Sequence, residues 1–178
     1  AAAAASAGAA PAPAREPRAG SGAPVLSFRV PSLSGGSLSS EDFKGKLVVL
    51  DVWATWCGPC RMVIPHLVEL QKKLGASGVS VIGLNADEER PGTDLRTEVR
   101  AFAQRFAINY PIGLMNNRAW RDLLDLTGGA GGFSIPTTIV LGRDGRVLRI
   151  YPGYYPGQER DIEELLTSLL PAEGRSGP

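Results

Sequence analysis

The sequence predicts an α/β layered domain, a central mixed β-sheet with helices on both faces. Three observations carry the prediction. Apolar runs of strand length alternate with segments of helical period. The run Leu47-Val48-Val49-Leu50-Asp51-Val52-Trp53 is almost continuously apolar, the pattern of a central strand covered on both faces. The last third of the chain carries a strong hairpin signal, Arg143-Asp144-Gly145, followed by an amphipathic segment. A chain of 178 residues, 43% hydrophobic and 21% charged, is expected to form one domain with a substantial core.

Residues 1–24 are rich in Ala and Pro and nearly devoid of bulky apolar side chains, so they are expected to be a disordered tether. The domain is expected over 25–171, with a flexible tail over 172–178. Phe28-Arg29-Val30 and Gly36-Ser37-Leu38 read as short strands around a Pro/Ser/Gly turn, followed by one helical turn at 39–43. After the central strand, Val63, Leu67, Leu70 and Leu74 share one helical face, with a kink expected at Pro65 and a stop at Gly75. The next strand is expected at 79–84, then a polar loop at 87–92. A second helix buries Leu95, Val99, Phe102 and Phe106, capped by Thr93 or Asp94. A short strand follows at 110–114. Asn116 caps a third helix that buries Trp120, Leu123 and Leu124. Strands at 137–141 and 147–151 form the hairpin, and Ile162, Leu165, Leu166 and Leu169 face inward from the last helix, which Pro171 ends.

Composition excludes several function classes. A net charge of +1 without a basic stripe argues against nucleic acid as a partner. No stretch has the roughly 18–20 apolar residues of a membrane span. The two cysteines, Cys57 and Cys60, cannot build a four-cysteine zinc site, and His66, the one histidine, adds a single ligand. So close a pair is also a poor structural staple. It is suited to opening and closing. Cys57 stands between a buried strand and a helix start, where backbone N–H groups and the helix dipole favour a thiolate. Gly58 and Pro59 permit the tight entry into the helix. The expected chemistry is attack by an exposed Cys57 thiolate on a substrate disulfide, resolved by a more shielded Cys60.

The segment Asp51-Val52-Trp53-Ala54-Thr55-Trp56-Cys57-Gly58-Pro59-Cys60-Arg61-Met62 resembles the active site of thioredoxins. The wider layout resembles the exported TlpA/ResA-like branch: a segment 28–46 ending in Gly45-Lys46, an extra helix between Leu84 and Tyr110, and Ile135-Pro136-Thr137-Thr138 before the hairpin. The resemblance covers about 25–170. It implies a thioredoxin-like three-layer fold with an N-terminal β extension and an inserted βα element. It also implies a thiol–disulfide oxidoreductase acting on protein disulfides, as a reductant. Pro136 matches a cis-proline facing the disulfide, with Ile135 lining a substrate groove and Trp56 flanking Cys57 on the docking surface. Gly153 matches a groove glycine, or else simply makes a turn. Asp51 matches a buried acid that assists deprotonation of Cys60; burial should raise its pKa. Trp53 reads as core.

Two positions depart from these families. Val63 stands where TlpA/ResA-like proteins often have a glutamate, and Gly83 where thioredoxins often have a lysine paired with the acid. The resemblance implies no cofactor beyond the redox-active disulfide. It implies an upstream thiol donor that can be a membrane protein, a monomeric state, and work in cytochrome c maturation or general periplasmic reduction. The alanine-rich start without Met suggests a processed, extracytoplasmic protein, with membrane attachment only through a lost N-terminal anchor; a cytoplasmic or organellar location is the alternative. Competing functions are a peroxiredoxin-like peroxidase and a copper(I)-handling module using both thiolates. Weaker features are His66, read as a helix-face residue; the glycine run at 128–132, read as a flexible loop; and Asp87-Glu88-Glu89, read as a solvated turn. Tyr151, Tyr154 and Tyr155 are equally consistent with substrate contact or packing.

Overall fold

The structure, a computed structural model, describes residues 14, 22–127 and 134–171. Most of the expected tether, the glycine run and the tail lie outside the described residues. Strands β1 (Arg29–Pro31) and β2 (Ser37–Ser39) form a small antiparallel ribbon, and a 3₁₀ turn (Ser40–Phe43) follows. Then come β3 (Leu47–Trp53), α1 (Cys60–Leu74), β4 (Val79–Asn85), α2 (Leu95–Arg105), β5 (Ile112–Leu114) and α3 (Asn117–Thr127). The hairpin β6 (Thr137–Leu141) and β7 (Val147–Pro152) and helix α4 (Gln158–Leu169) complete the fold.

The five-stranded sheet has the order β5-β4-β3-β6-β7. β4 is parallel to β3 and β5 parallel to β4, whereas β6 runs antiparallel to β3 and β7 antiparallel to β6. The mixed sheet expected from the pattern is therefore present. Every residue of β3 is buried, as its unbroken apolar run requires.

The N-terminal ribbon and the inserted α2–β5 segment support each other. The Leu33 amide donates to the Ile112 carbonyl at 2.9 Å, and Arg96 Nη1 donates to the Ser32 carbonyl at 2.7 Å. A Cβ at Gly113 would lie 2.4 Å from Val30 Cγ2, so only glycine lets the ribbon approach the inserted strand so closely.

Local signals mostly act as expected. Asp94 caps α2, accepting the Arg96 amide at 3.1 Å, and Asn116 accepts the Ala119 amide at 2.9 Å at the start of α3. α1 continues through Pro65 as one helix. Its expected stop shifts: Gly75 stays helical, and the left-handed turn falls at Gly78, with φ 94°. On α3, Leu123 is buried while Trp120 and Leu124 are half-buried. Leu169 is 41% exposed rather than buried. The helix ends there, and the extended Leu170 turns inward in its place. Among the described residues, no helix is long and apolar enough to cross a membrane.

Candidate active site

The end of β3 and the start of α1 hold the two cysteines between them. Cys57 and Cys60 form a disulfide, with their Cα atoms 5.4 Å apart. The Cys57 amide donates to the Ala54 carbonyl at 3.1 Å, which folds the loop tightly after the strand. The Cys60 amide donates to Cys57 Sγ at 3.2 Å. The N-terminus of α1 has no side-chain cap and no acidic residue in its first turn. Its positive end is thus left to the sulfur, which favours the thiolate once the bond is reduced. Pro59 already has helical dihedrals, φ −59° and ψ −30°. Gly58 and Pro59 are exposed, and nothing lies within 4 Å of a Cβ placed on Gly58.

One expectation about the pair is corrected. Cys57 was expected to expose its sulfur, but both cysteines are 0% exposed in the disulfide form. The loop turns both side chains inward and leaves Trp56, Gly58 and Pro59 on the surface. Exchange needs access to a sulfur, so it requires that Cys57 be uncovered by substrate docking or by reduction.

Asp51 lies on the strand leading into this loop and is 0% exposed. Its Oδ1 accepts the Thr138 hydroxyl at 2.9 Å, and Gln158 Nε2, itself buried, approaches Thr138 Oγ1 at 3.5 Å. Burial raises the Asp51 pKa to about 7, with the Thr138 bond opposing the rise. The register places Asp51 directly opposite Gly83 on β4 and Thr138 on β6. The position where a lysine would stand is therefore the immediate neighbour of the acid. Val63, on α1, is buried.

The Ile135–Pro136 peptide is cis, as the resemblance implied. Ile135 is only 2% exposed, so its side chain packs in the core rather than lining an open groove. Backbone direction explains this correction: the chain enters β6 here and turns the isoleucine inward. Gly153 has φ 76°, and its amide donates to the Pro136 carbonyl at 2.7 Å. It makes a turn and also holds the proline loop against the end of β7.

Sequence reasoning missed the clamp on the cysteine loop. The Asp87 carboxylate accepts the Thr55 amide and hydroxyl, each at 2.8 Å, and Asn85 Nδ2 at 2.7 Å. Arg61 Nη2 donates to the Thr55 carbonyl at 3.0 Å. Asp87 is therefore an anchor for the active-site loop and not part of a solvated turn. The available signal was Asn85, a polar residue ending a strand that is otherwise apolar apart from Ser80.

Trp56 is 48% exposed and borders a cleft of about 680 Å³ lined also by Glu88, Arg90, Met115 and Trp120. Trp53 is buried and stacks on Phe102 of α2, their ring centroids 4.9 Å apart. His66 and Tyr154 line a separate cavity of about 190 Å³ between α1 and α4. Tyr151 is core, and Tyr155 donates to Asp161 at 2.6 Å, so packing accounts for these two tyrosines.

Comparisons with known proteins agree with this geometry. The Redoxin family model matches residues 18–166. A protein named thiol-disulfide oxidoreductase ResA from Bacillus thuringiensis subsp. konkukian is 31% identical over 144 residues, spanning 81% of this chain and 75% of the relative. The thioredoxin-like protein YneN of Bacillus subtilis is 32% identical over 137 residues, spanning 75% of this chain and 72% of that one. A thioredoxin family thiol:disulfide interchange protein from Chlorobium tepidum TLS superposes with a TM-score of 0.70 at 26% identity, covering 85% of this chain and 98% of its own. A DsbF homologue from Corynebacterium diphtheriae gives 0.68 at 27% identity, covering 87% and 92% respectively.

Proposed function

The chain belongs to the Redoxin family as a ResA-like thiol–disulfide oxidoreductase, and from that premise we propose that it reduces disulfides in protein substrates through Cys57 and Cys60. One observation supports this most: a cysteine pair at a bare helix N-terminus, with a backbone amide on Cys57 Sγ. Cys57 thiolate attacks one sulfur of the substrate disulfide. A Cys57–substrate bond forms, and the first substrate sulfur leaves as a thiolate that takes a proton. Asp51 then accepts the Cys60 proton. Cys60 thiolate attacks Cys57 Sγ and releases the second substrate sulfur. Two electrons pass from the dithiol to the substrate, leaving the Cys57–Cys60 disulfide.

A carboxyl titrating at about 7 suits the proton step at neutral pH, since a general base works best near its own pKa. The exposed Trp56 and the cleft beside it support docking of a protein surface. Each turnover consumes the dithiol, so an upstream thiol donor must restore it. We place this cycle outside the cytoplasm, the setting implied by the resemblance to exported relatives. Insulin reduction driven by dithiothreitol tests the reading. The wild type is expected to accelerate precipitation of the insulin B chain, and Cys57→Ser to give only the background rate. No acceleration by the wild type, combined with direct peroxide turnover, would instead favour a peroxidase.

A further inference from the structure

The loop that carries Cys57 is tied from two sides through one residue. Thr55 stands two positions before Cys57, after β3 has ended and before α1 begins. Its amide and hydroxyl donate to the Asp87 carboxylate, each at 2.8 Å, and its carbonyl accepts Arg61 Nη2 at 3.0 Å. Every polar group of Thr55 is therefore engaged. Asp87 is held in turn by the sheet. Asn85, fully buried at the end of β4, donates from Nδ2 to Asp87 Oδ2 at 2.7 Å and accepts the Asp87 amide at 3.3 Å. Asn85 lies opposite Trp53 on β3, and its carbonyl accepts the Met115 amide at 2.9 Å. A buried amide side chain is costly unless paired, and here its pairing fixes Asp87. On the other side, Arg61 adjoins Cys60 at the start of α1. Asp87 thus ties the loop to the sheet, and Arg61 ties it to the helix that carries Cys60.

In the oxidised protein the Cys57–Cys60 bond itself holds the two sulfurs together. The mixed disulfide lacks that bond, because Cys57 is then bound to substrate. Beyond the short Gly58-Pro59 link, only noncovalent contacts keep Cys57 within reach of Cys60. We propose that Asp87, acting through Thr55, is a positioning residue for the resolving step, holding Cys57 in place for attack by Cys60 while substrate is attached. The proposal rests on the reading of the pair as a reversible dithiol.

In that step Cys60 thiolate forms a bond to Cys57 Sγ and the Cys57–substrate S–S bond breaks. The substrate sulfur leaves as a thiolate that takes a proton. Asp87 exchanges neither proton nor electron. Its effect is on effective concentration, since two reacting groups held together behave as if at high molarity. Asp87 also lines the cleft beside Trp56, so this hold acts next to the surface assigned to substrate docking.

Equilibration with glutathione redox buffers, followed by thiol labelling, measures the effective concentration of the Cys57–Cys60 pair. Thr55→Val keeps the shape and the backbone bond, deletes one hydroxyl bond and leaves the charge unchanged. It is expected to lower the effective concentration by roughly threefold, and Asp87→Ala, which removes both bonds to residue 55, by roughly tenfold. Thr55→Ser restores a hydroxyl and is expected to match the wild type. Thr55→Val added to Asp87→Ala should change nothing further, because its partner is gone. A general loss of stability would not give that pattern in variants that circular dichroism shows to be folded. An effective concentration unmoved by Thr55→Val, or lowered equally by Thr55→Val with and without Asp87, overturns the inference. The two Thr55 variants decide it alone if Asp87→Ala does not fold. A wild type that forms no Cys57–Cys60 disulfide in glutathione removes the exchange reading itself.

Discussion

Cys60→Ser is expected to stop the enzyme halfway, with Cys57 covalently bound to its substrate. The first attack needs only the Cys57 thiolate, which the Cys60 backbone amide and the end of α1 favour whether or not residue 60 carries sulfur. The second attack needs the Cys60 thiolate and has no substitute, since the chain holds just two cysteines. The variant, incubated with a disulfide-bonded protein, should accumulate a mixed disulfide. That species would be seen by non-reducing electrophoresis, would be dissolved by dithiothreitol, and would be absent from Cys57→Ser. Turnover in both variants should fall to background. Equal trapping by either single variant would mean that the sulfurs have no fixed order. Little stability should be lost, because the disulfide closes a loop with a sequence separation of 3.

Asp51→Asn is expected to stabilise the oxidised protein at alkaline pH and to leave it nearly unchanged in acid. The folded protein holds the Asp51 proton up to about pH 7, whereas an unfolded chain releases it near 3.8. Below the unfolded value both states are protonated, and the stability is fully present. As pH rises from 3.8 towards 7, ionisation favours the unfolded chain, so stability falls through that window and levels off above it. The shift corresponds to roughly 4 kcal/mol, at about 1.4 kcal/mol per unit. Asparagine carries no charge, so this loss disappears. Urea unfolding at pH 4, 6 and 8 checks it: the advantage of the variant should grow across the series. A difference that is constant with pH would contradict this account, because it would mean that Asp51 ionises in the folded protein at the same pH as in the unfolded chain. The same substitution removes the base for Cys60 and should slow exchange at neutral pH, so stability and activity are expected to move in opposite directions.

Much of the frame could be read from residue patterns, because those patterns are local. The apolar run 47–53 and the face Val63-Leu67-Leu70-Leu74 place the cysteine pair between a buried strand and a helix before any contact is known. Asp94 and Asn116 cap helices because a short polar side chain can reach its own backbone. The features that could not be read depend on parts of the chain brought together by folding. Gly83 could be recognised as a position lacking lysine. That Trp53 and Tyr110 occupy its space depends on how the insertion folds back over β4. Asp87 looked like one of three solvated acids, and only the pairing of β3 with β4 brings it to Thr55. The inward turn of Cys57 and the packed Ile135 reflect loop direction, which no period encodes.

The most direct test of reversible dithiol chemistry is an equilibrium redox titration of Cys57–Cys60, read by thiol labelling. The account predicts one two-electron transition, with a potential near that of thioredoxin at about −270 mV. A potential above about −180 mV would contradict a reducing role and assign the pair to oxidation or isomerisation.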